Sequence, residues 1–281
     1  MERRDLTRIA RRFQAKKRLG QHFLVDPPVL AQIAGALELA PADTVLEIGP
    51  GLGFLTSVLS ASGARIIGVE LDIDCIEYLR QLRLPGVSLV HADFLQFDPR
   101  CLQAARIKVV GNVPYQITAP IIARLFGEIG SPAPWLPLIE KLVMTVQREV
   151  AERLVASPGQ KDYSQITLLA TYYASARVLS VVPPELFFPE PEVTSAVIEL
   201  VPRQEPAVSC LNRRLLRQVI QAGFGQRRKM LKNNLGFLKI SAEELLTIFK
   251  RLSFDPQVRA ERLSLEQFAM LADALETARR T

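Results

Sequence analysis

The stretch TVLEIGPGLGFLTSVL, residues 44–59, joins an apolar run of strand length to a helical segment through a glycine-rich turn. Gly49, Gly51 and Gly53 allow the backbone of such a turn to approach a ligand closely. Their spacing is GxGxG and not the GxGxxG of dinucleotide phosphate cradles, and we expect Glu47 to lie in the turn. The sequence therefore predicts a ligand site without phosphates, with a plain tight turn as the alternative.

Further units of this kind follow along the chain. Apolar runs of strand length occupy residues 44–49, 64–70, 87–93, 107–112 and 141–147. Segments with helical spacing lie around them, at residues 27–39, 53–62, 72–82, 118–129 and 147–156. Runs that are apolar on both faces suit buried strands of a parallel sheet, and repeated strand–helix units predict an α/β fold with helices on both faces.

The chain changes character towards its end. Residues 171–182 and 194–203 alternate like the two strands of a hairpin, joined by a proline-rich stretch. After residue 205 the apolar spacing is helical only, at residues 211–224, 241–251 and 264–278. We therefore predict three parts, which are a basic N-terminal arm (1–18), an α/β domain (19–205) and a smaller all-α domain (206–281).

The composition of the 281 residues, 48% of them apolar and 23% charged, is typical of a globular protein. No apolar run approaches the roughly 20 residues of a membrane helix. The N-terminus lacks the apolar core of a secretory signal, although its Arg-rich character leaves a transit peptide as an alternative. Cys75, Cys101 and Cys210 lack CxxC spacing, and His22 and His91 are the sole histidines. We therefore expect neither disulfides, a metal site nor a Ser-His-Asp triad, and a reducing compartment such as the cytoplasm.

Positive charge is concentrated in two stretches of a chain whose formal net charge is +6. Residues 1–18 are rich in Arg and Lys, with Glu2 and Asp5 as their acids, and residues 212–232 contain several Arg and Lys but no acid. Either stretch alone would be consistent with an ordinary solvated surface. Together they indicate a partner rich in phosphate groups, such as a nucleic acid.

Acidic residues follow the next two predicted strands. Glu70 ends the second run, where an acid in this architecture accepts both ribose hydroxyls of a nucleoside cofactor. Asp93 ends the third run beside Phe94, a pair that suits an adenine ring. A helix cap is the alternative for an isolated acid, and Asp72 is the residue that we expect to have that role. The order Gly, Glu, Asp resembles the S-adenosylmethionine site of a class I methyltransferase.

The fourth predicted strand ends in GNVPYQIT, residues 111–118. The N6 amine of adenine is a poor nucleophile, and two acceptors that hold its N–H bonds would draw the nitrogen towards tetrahedral geometry. The side-chain oxygen of Asn112 and the carbonyl of Val113 are candidates for these acceptors. Pro114 would stiffen the turn, and Tyr115 would stack on an extruded base. The alternative is an ordinary turn with a packed tyrosine.

With these motifs the chain resembles the 16S rRNA adenine N6,N6-dimethyltransferases. The resemblance extends over residues 16–275 and rests on seven motifs in order, which are KRLGQHFLVD (17–26), EIGPGLGFLT (47–56), GVELD (68–72), GNVPYQIT (111–118), VQREVAERLVASPGQKDY (146–163), FFPEPEVTSAV (187–197) and FGQRRKMLKNNL (224–235). It implies a Rossmann-like, mostly parallel seven-stranded sheet and S-adenosylmethionine as cofactor. It also implies dimethylation of two adjacent adenosines in the 3′-terminal hairpin of small-subunit rRNA.

The resemblance also implies roles for individual residues. The cofactor would be held by His22, Leu24, Gly49, Gly51, Glu70, Asp93 and Asn112. The target amine would be presented by Asn112, Pro114 and Tyr115, with Phe187 as the second wall of the base pocket. A core phenylalanine under a proline turn is the alternative for Phe187. The basic residues Arg227, Arg228 and Lys229 would bind RNA.

The resemblance has a few departures and leaves other functions open. Val113, Glu192, Thr194 and Met230 replace residues that are more usual at those positions, which affects the expected RNA docking more than the chemistry. One alternative is a 23S rRNA adenine methyltransferase of the macrolide-resistance type, and another is a non-catalytic assembly or transcription factor. The RRKMLKNNL segment and the long helical domain favour the small-subunit family. We expect a monomer that acts on 16S rRNA in the pre-30S subunit.

Overall fold

Seven strands form the main sheet of the computed structural model, which describes residues 1–280. They are β1 (Thr44–Ile48), β2 (Arg65–Glu70), β3 (Val87–His91), β4 (Ile107–Asn112), β5 (Ile139–Gln147), β6 (Ala174–Val182) and β7 (Ser195–Pro202). Their spatial order is β3-β2-β1-β4-β5-β7-β6. The pairs among β1 to β5 are parallel, and β7 pairs antiparallel with β5. The predicted mixed, mostly parallel sheet is confirmed.

The order of the strands places the site. β1 lies in the middle of the sheet, and the chain crosses from one side of it to the other between β3 and β4. Such a crossing opens a crevice at the carboxyl ends of β1 and β4. The side chains of Val45, Leu46, Val109 and Val110 are fully buried, because both faces of the central strands are covered.

The described residues form eleven α-helices. They are α1 (Arg3–Arg12), α2 (Pro27–Ala36), α3 (Phe54–Ser60), α4 (Ile73–Leu82), α5 (Thr118–Phe126), α6 (Arg148–Val155), α7 (Gln165–Tyr173), α8 (Arg213–Gly225), α9 (Leu231–Asn234), α10 (Ala242–Arg251) and α11 (Leu265–Arg280). Asp26 caps α2 by accepting from the backbone nitrogen of Val29 at 3.1 Å. The expected cap at Asp72 is confirmed, since its side chain accepts from the nitrogen of Asp74 at 3.1 Å.

The N-terminal arm is a helix packed on the core. Leu6 and Ala10 of α1 are buried in the same hydrophobic cluster as Phe23 and Leu30, while its arginines are exposed. The apolar face of α1 is not apparent from the sequence, because its buried positions are few and are separated by arginines. A helix with one apolar face and one cationic face therefore precedes the sheet.

The chain forms two compact units. The first contains Met1–Leu125, Pro134–Ala151 and Ala176–Pro202, and the second contains Phe126–Ala133, Glu152–Ser175 and the described residues from Arg203 onward. The second unit is mainly helical, with one short two-stranded sheet, and it includes two stretches that precede Arg203. The sequence predicted boundaries at residues 18 and 205, between parts that would fold independently. That division stays a prediction.

One predicted strand begins later than the pattern indicated. Residues 171–173 belong to α7, and the strand begins at Ala174. Ser164 and Thr167 form a capping box at the start of α7, in which the Ser164 nitrogen donates to the Thr167 hydroxyl at 3.0 Å. This cap and the burial of Leu168 and Tyr172 favour helix up to Tyr173.

Candidate active site

A cavity of about 280 Å³ lies at the carboxyl ends of β1, β2 and β4, within the first unit. Nine of the predicted cofactor and target residues line it, namely His22, Leu24, Gly49, Gly51, Glu70, Asp93, Asn112, Pro114 and Tyr115. Phe187 is the predicted catalytic residue that the structure does not bring to the cavity. The parallel strands thus gather side chains that are far apart in sequence.

The glycine turn after β1 forms the floor of the cavity. Gly49 and Gly51 have φ angles of 64° and 56°, in the left-handed region that favours glycine. The Gly51 nitrogen donates to Oε2 of Glu70 at 2.9 Å. A Cβ at Gly51 would lie 3.0 Å from the ring of Phe23. The turn is therefore tied to β2 and closely packed against the N-terminal side of the site.

Glu47 does not lie in the turn, as was expected, but inside β1. Its side chain is 1% exposed, and burial raises the pKa of the carboxyl to about 8. Within residues 1–280 its Oε2 atom has no hydrogen-bond partner, although Glu47 lines the cavity. A buried acceptor without a partner fits a ligand that brings a positive charge or an N–H group. The ammonium group of S-adenosylmethionine has this chemistry.

Glu70 is fixed by backbone donors at both carboxylate oxygens. Its Oε1 accepts from the nitrogen of Asp72 at 2.8 Å, and its Oε2 accepts from Gly51. Burial raises the pKa of this carboxyl, and the backbone hydrogen bonds oppose that shift. A carboxylate held in this way keeps lone pairs for two neighbouring hydroxyl groups, as a ribose would supply.

Asp93 lies in a turn and not at the start of a helix, and its predicted contact with the cofactor stays a prediction. Its Oδ1 accepts from the nitrogen of Leu95 at 2.9 Å, which closes a local turn after β3. Asp93 also lines the cavity beside Phe94, whose side chain is buried. The turn uses only one carboxylate oxygen, so the side chain retains acceptor capacity for a ligand.

The orientation of the Asn112 amide follows from one contact. Asn112 is the last residue of β4, and its Nδ2 donates to the backbone oxygen of His22 at 2.7 Å. A carbonyl oxygen can only accept, so Nδ2 must face His22. The amide oxygen Oδ1 is thereby the group left for a donor in the cavity. This is the orientation that acceptance of an amine N–H requires.

Two neighbours of Asn112 explain the shape of this turn. A Cβ at Gly111 would lie 2.7 Å from the backbone oxygen of Ile48, so the close approach of β4 to β1 excludes a side chain there. Val113 is buried and lines the cavity, and the predicted acceptor is its backbone carbonyl, which any residue at this position would supply. The departure at this position therefore affects packing and not the predicted acceptor.

Tyr115 is held at its ring and at its hydroxyl. Its Oη atom lies 2.6 Å from the hydroxyl of Ser195, the first residue of β7. Its ring lies nearly parallel to that of His22, with centroids 5.8 Å apart and an interplanar angle of 15°. The Nδ1 atom of His22 in turn lies 2.7 Å from the backbone oxygen of Pro189. Sequence reasoning missed Ser195 because a serine at a strand start has no distinguishing pattern.

Phe187 lies in the core. Its side chain is 3% exposed, belongs to the hydrophobic cluster that includes Leu6, and lies opposite Leu24 in a short antiparallel pair of strands. The next residue, Phe188, is half-buried, with the guanidinium of Arg11 5.7 Å from its ring centroid. This position matches the alternative of a core phenylalanine under a proline turn.

The predicted RNA-binding residues lie in the second unit. Arg227, Arg228 and Lys229 are all exposed in the turn between α8 and α9. One guanidinium nitrogen of Arg227 donates to the backbone oxygen of Lys161 at 2.9 Å. This bond and the nearby Phe224 ring fix the first of the three cations, and the turn presents all three to solvent.

The described residues include neither a candidate metal site nor a membrane-spanning helix. Among residues 1–280 there is no group of three or more His, Cys, Asp or Glu side chains placed to hold a metal ion. The same residues include no helix with the length and apolar character that crossing a membrane requires.

The chain is similar over nearly its whole length to proteins of one family. The model of the family described as ribosomal RNA adenine dimethylase matches residues 12–277. Ribosomal RNA small subunit methyltransferase A of Synechococcus elongatus is 42% identical over 269 residues, which are 93% of this chain and 95% of the relative. The enzyme of that name from Clostridium botulinum is 38% identical over 267 residues, 94% of each chain.

Solved structures give the same fold. A dimethyladenosine transferase from Plasmodium falciparum has a TM-score of 0.75 at 22% identity, over 89% of this chain and 95% of that one. The 23S rRNA methyltransferase ErmE has a TM-score of 0.70 at 26% identity, over 90% of this chain and 99% of that one. Both similarities confirm the class I methyltransferase fold that the sheet order indicates.

Proposed function

The chain belongs to the ribosomal RNA adenine dimethylase family, and on that premise we propose which RNA it modifies and how. It adds two methyl groups, taken from S-adenosylmethionine, to N6 of each of two adjacent adenosines in 16S rRNA. The target lies in the 3′-terminal hairpin loop, and the reaction belongs to the biogenesis of the 30S subunit.

The observation that carries this proposal is the amide orientation at Asn112. Because Nδ2 is taken by the His22 oxygen, Oδ1 accepts one N–H of the adenine amine. In the first transfer the carbonyl of Val113 accepts the other N–H. Two fixed acceptors draw the amine out of conjugation with the ring, which exposes its lone pair without a strong base. When N6 becomes cationic, its proton stays hydrogen-bonded to Oδ1 until water removes it.

The cavity holds the cofactor beside this amine. Glu70 would hold the ribose hydroxyls, Asp93 and Phe94 would hold the adenine, and Glu47 and the glycine turn would hold the methionine part. S-adenosylmethionine supplies an electrophilic methyl group on a sulfonium when bound. The residues of the chain supply proximity and fixed dipoles, which are large contributions when no covalent intermediate forms.

The adenine substrate has to leave its stack to reach Asn112. Tyr115 offers a ring face for the extruded base, and Ser195 and His22 keep that ring in place. Stacking on an aromatic ring compensates for part of the cost of unstacking. Phe187 as the opposite wall remains a prediction from the family resemblance, since its buried position does not support that role in the described conformation.

The RNA backbone is bound by exposed cations in each unit. In the second unit these are Arg227, Arg228 and Lys229. In the first unit they are the exposed arginines of α1, namely Arg3, Arg4, Arg8, Arg11 and Arg12. Such contacts are made to phosphates and hold the RNA without reading its sequence.

The choice of small-subunit over 23S rRNA rests on the relatives. The chain is 26% identical to ErmE, against 42% and 38% to the enzymes named as small subunit methyltransferases. A non-catalytic assembly factor is less well supported, because the groups for cofactor and amine are intact and oriented. We place the enzyme in the cytoplasm, where it acts as a monomer on the pre-30S subunit.

The decisive experiment uses a bacterial strain that lacks its own 16S rRNA dimethyltransferase. Expression of this chain should restore dimethyladenosine at two adjacent sites of 16S rRNA, measured by mass spectrometry of RNA fragments. Dimethyladenosine in 23S rRNA alone would support the macrolide-resistance type of enzyme. Unmodified RNA in both subunits, with folded protein present, would support the assembly factor.

A further inference from the structure

Residues 16–22, here the 16–22 segment, connect α1 to the cavity. The segment contains a tight turn at Lys17–Leu19 that ends at Gly20, whose φ is 63°. The backbone nitrogen of Lys16 donates to the side-chain oxygen of Gln21 at 2.8 Å and closes the loop. Residues from Arg18 to His22 line the cavity. The position of this segment therefore affects the cofactor site directly.

Both ends of the segment contact Asp72, through Lys16 and Gln21. The Nζ atom of Lys16 lies 2.5 Å from Oδ1 of Asp72 and 2.7 Å from Oδ2 of Asp74. The amide nitrogen of Gln21 donates to Oδ2 of Asp72 at 2.8 Å. Burial alone would raise the pKa of Asp72, but the hydrogen bonds from Lys16 and Gln21 outweigh burial and lower it. Asp72 is therefore charged at neutral pH and gives both oxygens to the segment.

The same contacts join the two chemical parts of the site. The backbone nitrogen of Asp72 donates to Glu70, the proposed ribose ligand, at 2.8 Å. The residue that follows Gln21 is His22, whose carbonyl orients the amide of Asn112. The segment thus runs from the cofactor acid at the end of β2 to the catalytic amide at the end of β4.

We propose that Lys16 and Gln21 are positioning residues, which hold the 16–22 segment on Asp72 so that the His22 carbonyl orients the Asn112 amide. The identity of the reacting amine rests on the proposed function. If Gln21 leaves Asp72, the His22 carbonyl moves with it, and the amide loses the partner that fixes its orientation. A rotated amide presents a donor to the amine in place of an acceptor, so turnover falls even when cofactor is saturating.

An exchange of donor and acceptor tests this arrangement. Gln21→Glu places a second carboxylate against Asp72 and removes the amide donor. Asp72→Asn keeps the helix cap, since Asn caps as well as Asp, but removes the charge that Lys16 pairs with. In the double variant Q21E/D72N the two side chains can again form a hydrogen bond, with the roles reversed. The matched control is Asp98→Asn, a cap whose carboxylate pairs with Arg100 at the surface.

Thermal melting first shows that the variants fold. Three measurements then compare them with the wild type. The first is the Kd of S-adenosylhomocysteine without RNA, by calorimetry. The second is the rate of trypsin cleavage after Lys17 and Arg18, and the third is kcat on 30S particles at saturating cofactor. Q21E loses the hydrogen bond from Gln21 to the buried charge of Asp72. It should therefore weaken binding and lower kcat by about tenfold each, and speed cleavage. The double variant should return to within about threefold of the wild type in all three.

The outcomes separate the alternatives. A merely structural role predicts that Q21E weakens binding and lowers the melting temperature while kcat at saturation stays at the wild-type value, and that result overturns the proposal. A double variant as impaired as Q21E overturns it as well. Wild-type protein that binds the probe and resists trypsin but does not methylate 30S particles would refute the proposed function instead.

Discussion

The hydroxyl of Tyr115 lies 2.6 Å from the hydroxyl of Ser195, a side chain without exposed surface. This contact joins the turn after β4 to the start of β7 and fixes the ring on which we propose that the target base stacks. Ser195→Ala should lower kcat by about threefold to tenfold with little change in cofactor affinity, because loss of one neutral hydrogen bond costs about 1 kcal/mol. Steady-state kinetics on 30S particles measure this. Ser180→Ala is the matched control, since the Ser180 hydroxyl bonds Gln32 at the surface.

Removal of the Asn112 amide should remove the chemistry. Asn112→Ala should lower kcat by about 100-fold or more, because the oriented acceptor for the amine is lost. Binding of S-adenosylhomocysteine should remain measurable by calorimetry, since Glu70 and Asp93 still line the cavity. Turnover near the wild-type rate would refute the assigned role of Asn112.

Because of Glu47, the free energy of unfolding should decrease as the pH rises. Its folded-state pKa of about 8 lies above the ordinary value of 4.5, so between these values the folded protein holds a proton that the unfolded chain releases. The stabilising contribution is complete below pH 4.5 and is lost by about pH 8. Glu47→Gln should therefore stabilise the free protein at pH 7 by on the order of 3 kcal/mol, measured by urea unfolding.

The same group should couple cofactor affinity to pH. A cationic ligand favours the ionised carboxylate, so binding releases a proton and the Kd should tighten as pH rises from 6 to 8. Glu47→Gln should abolish this dependence. Glu77→Gln, at an exposed position of α4, is the control for both measurements. If the control and Glu47→Gln show equal pH profiles, Glu47 is not the titrating group.

The cation cluster at residues 227–229 should act through charge alone. Replacing Arg227, Arg228 and Lys229 by Ala should weaken RNA binding and reduce the slope of log K against log salt by about 2. The methyl-transfer site is untouched, so cofactor binding should not change. Lys250→Ala/Arg251→Ala removes two exposed cations from α10 of the same unit and serves as the control. An unchanged salt slope in the triple variant would exclude the cluster from the RNA interface.

A pair of glycine substitutions should have opposite effects. Gly111→Ala places a Cβ 2.7 Å from the Ile48 oxygen, and separating β4 from β1 should destabilise the protein by a few kcal/mol and abolish activity. Gly35→Ala, in α2, meets no atom within 4 Å and should stabilise it by about 0.5–1 kcal/mol. Thermal melting of the two variants compares them directly.

The gathering of Gly49, Glu70 and Asp93 at one cavity was predictable because parallel strands end at one edge of the sheet. Each of the three lies at or just beyond the end of a strand that the apolar pattern marks, so their gathering follows from the fold class alone. The contacts that orient these residues were not predictable. Gln21 and Ser195 act through partners that are distant in sequence, and a single sequence contains no information on which side chain each one meets.

Two features of the structure were not indicated by the local sequence. Glu47 was expected in the turn, yet it lies inside β1, where burial raises the pKa of its carboxyl. Residues 1–18 were predicted as a basic arm from their charge, and the structure adds that Leu6 and Ala10 anchor α1 in the hydrophobic core. In both places tertiary burial outweighed the local preference of the residues.

The second unit contains contacts between residues that are far apart in sequence, and these contacts determine when it can fold during synthesis. Tyr163 donates through its hydroxyl to the backbone oxygen of Leu263, a residue 100 positions later. The backbone nitrogen of Gly159 likewise donates to Glu261. The segment around these residues leaves the ribosome long before its partners exist. The helical unit therefore reaches its final form only after Glu261 and Leu263 have been translated, about 100 residues later.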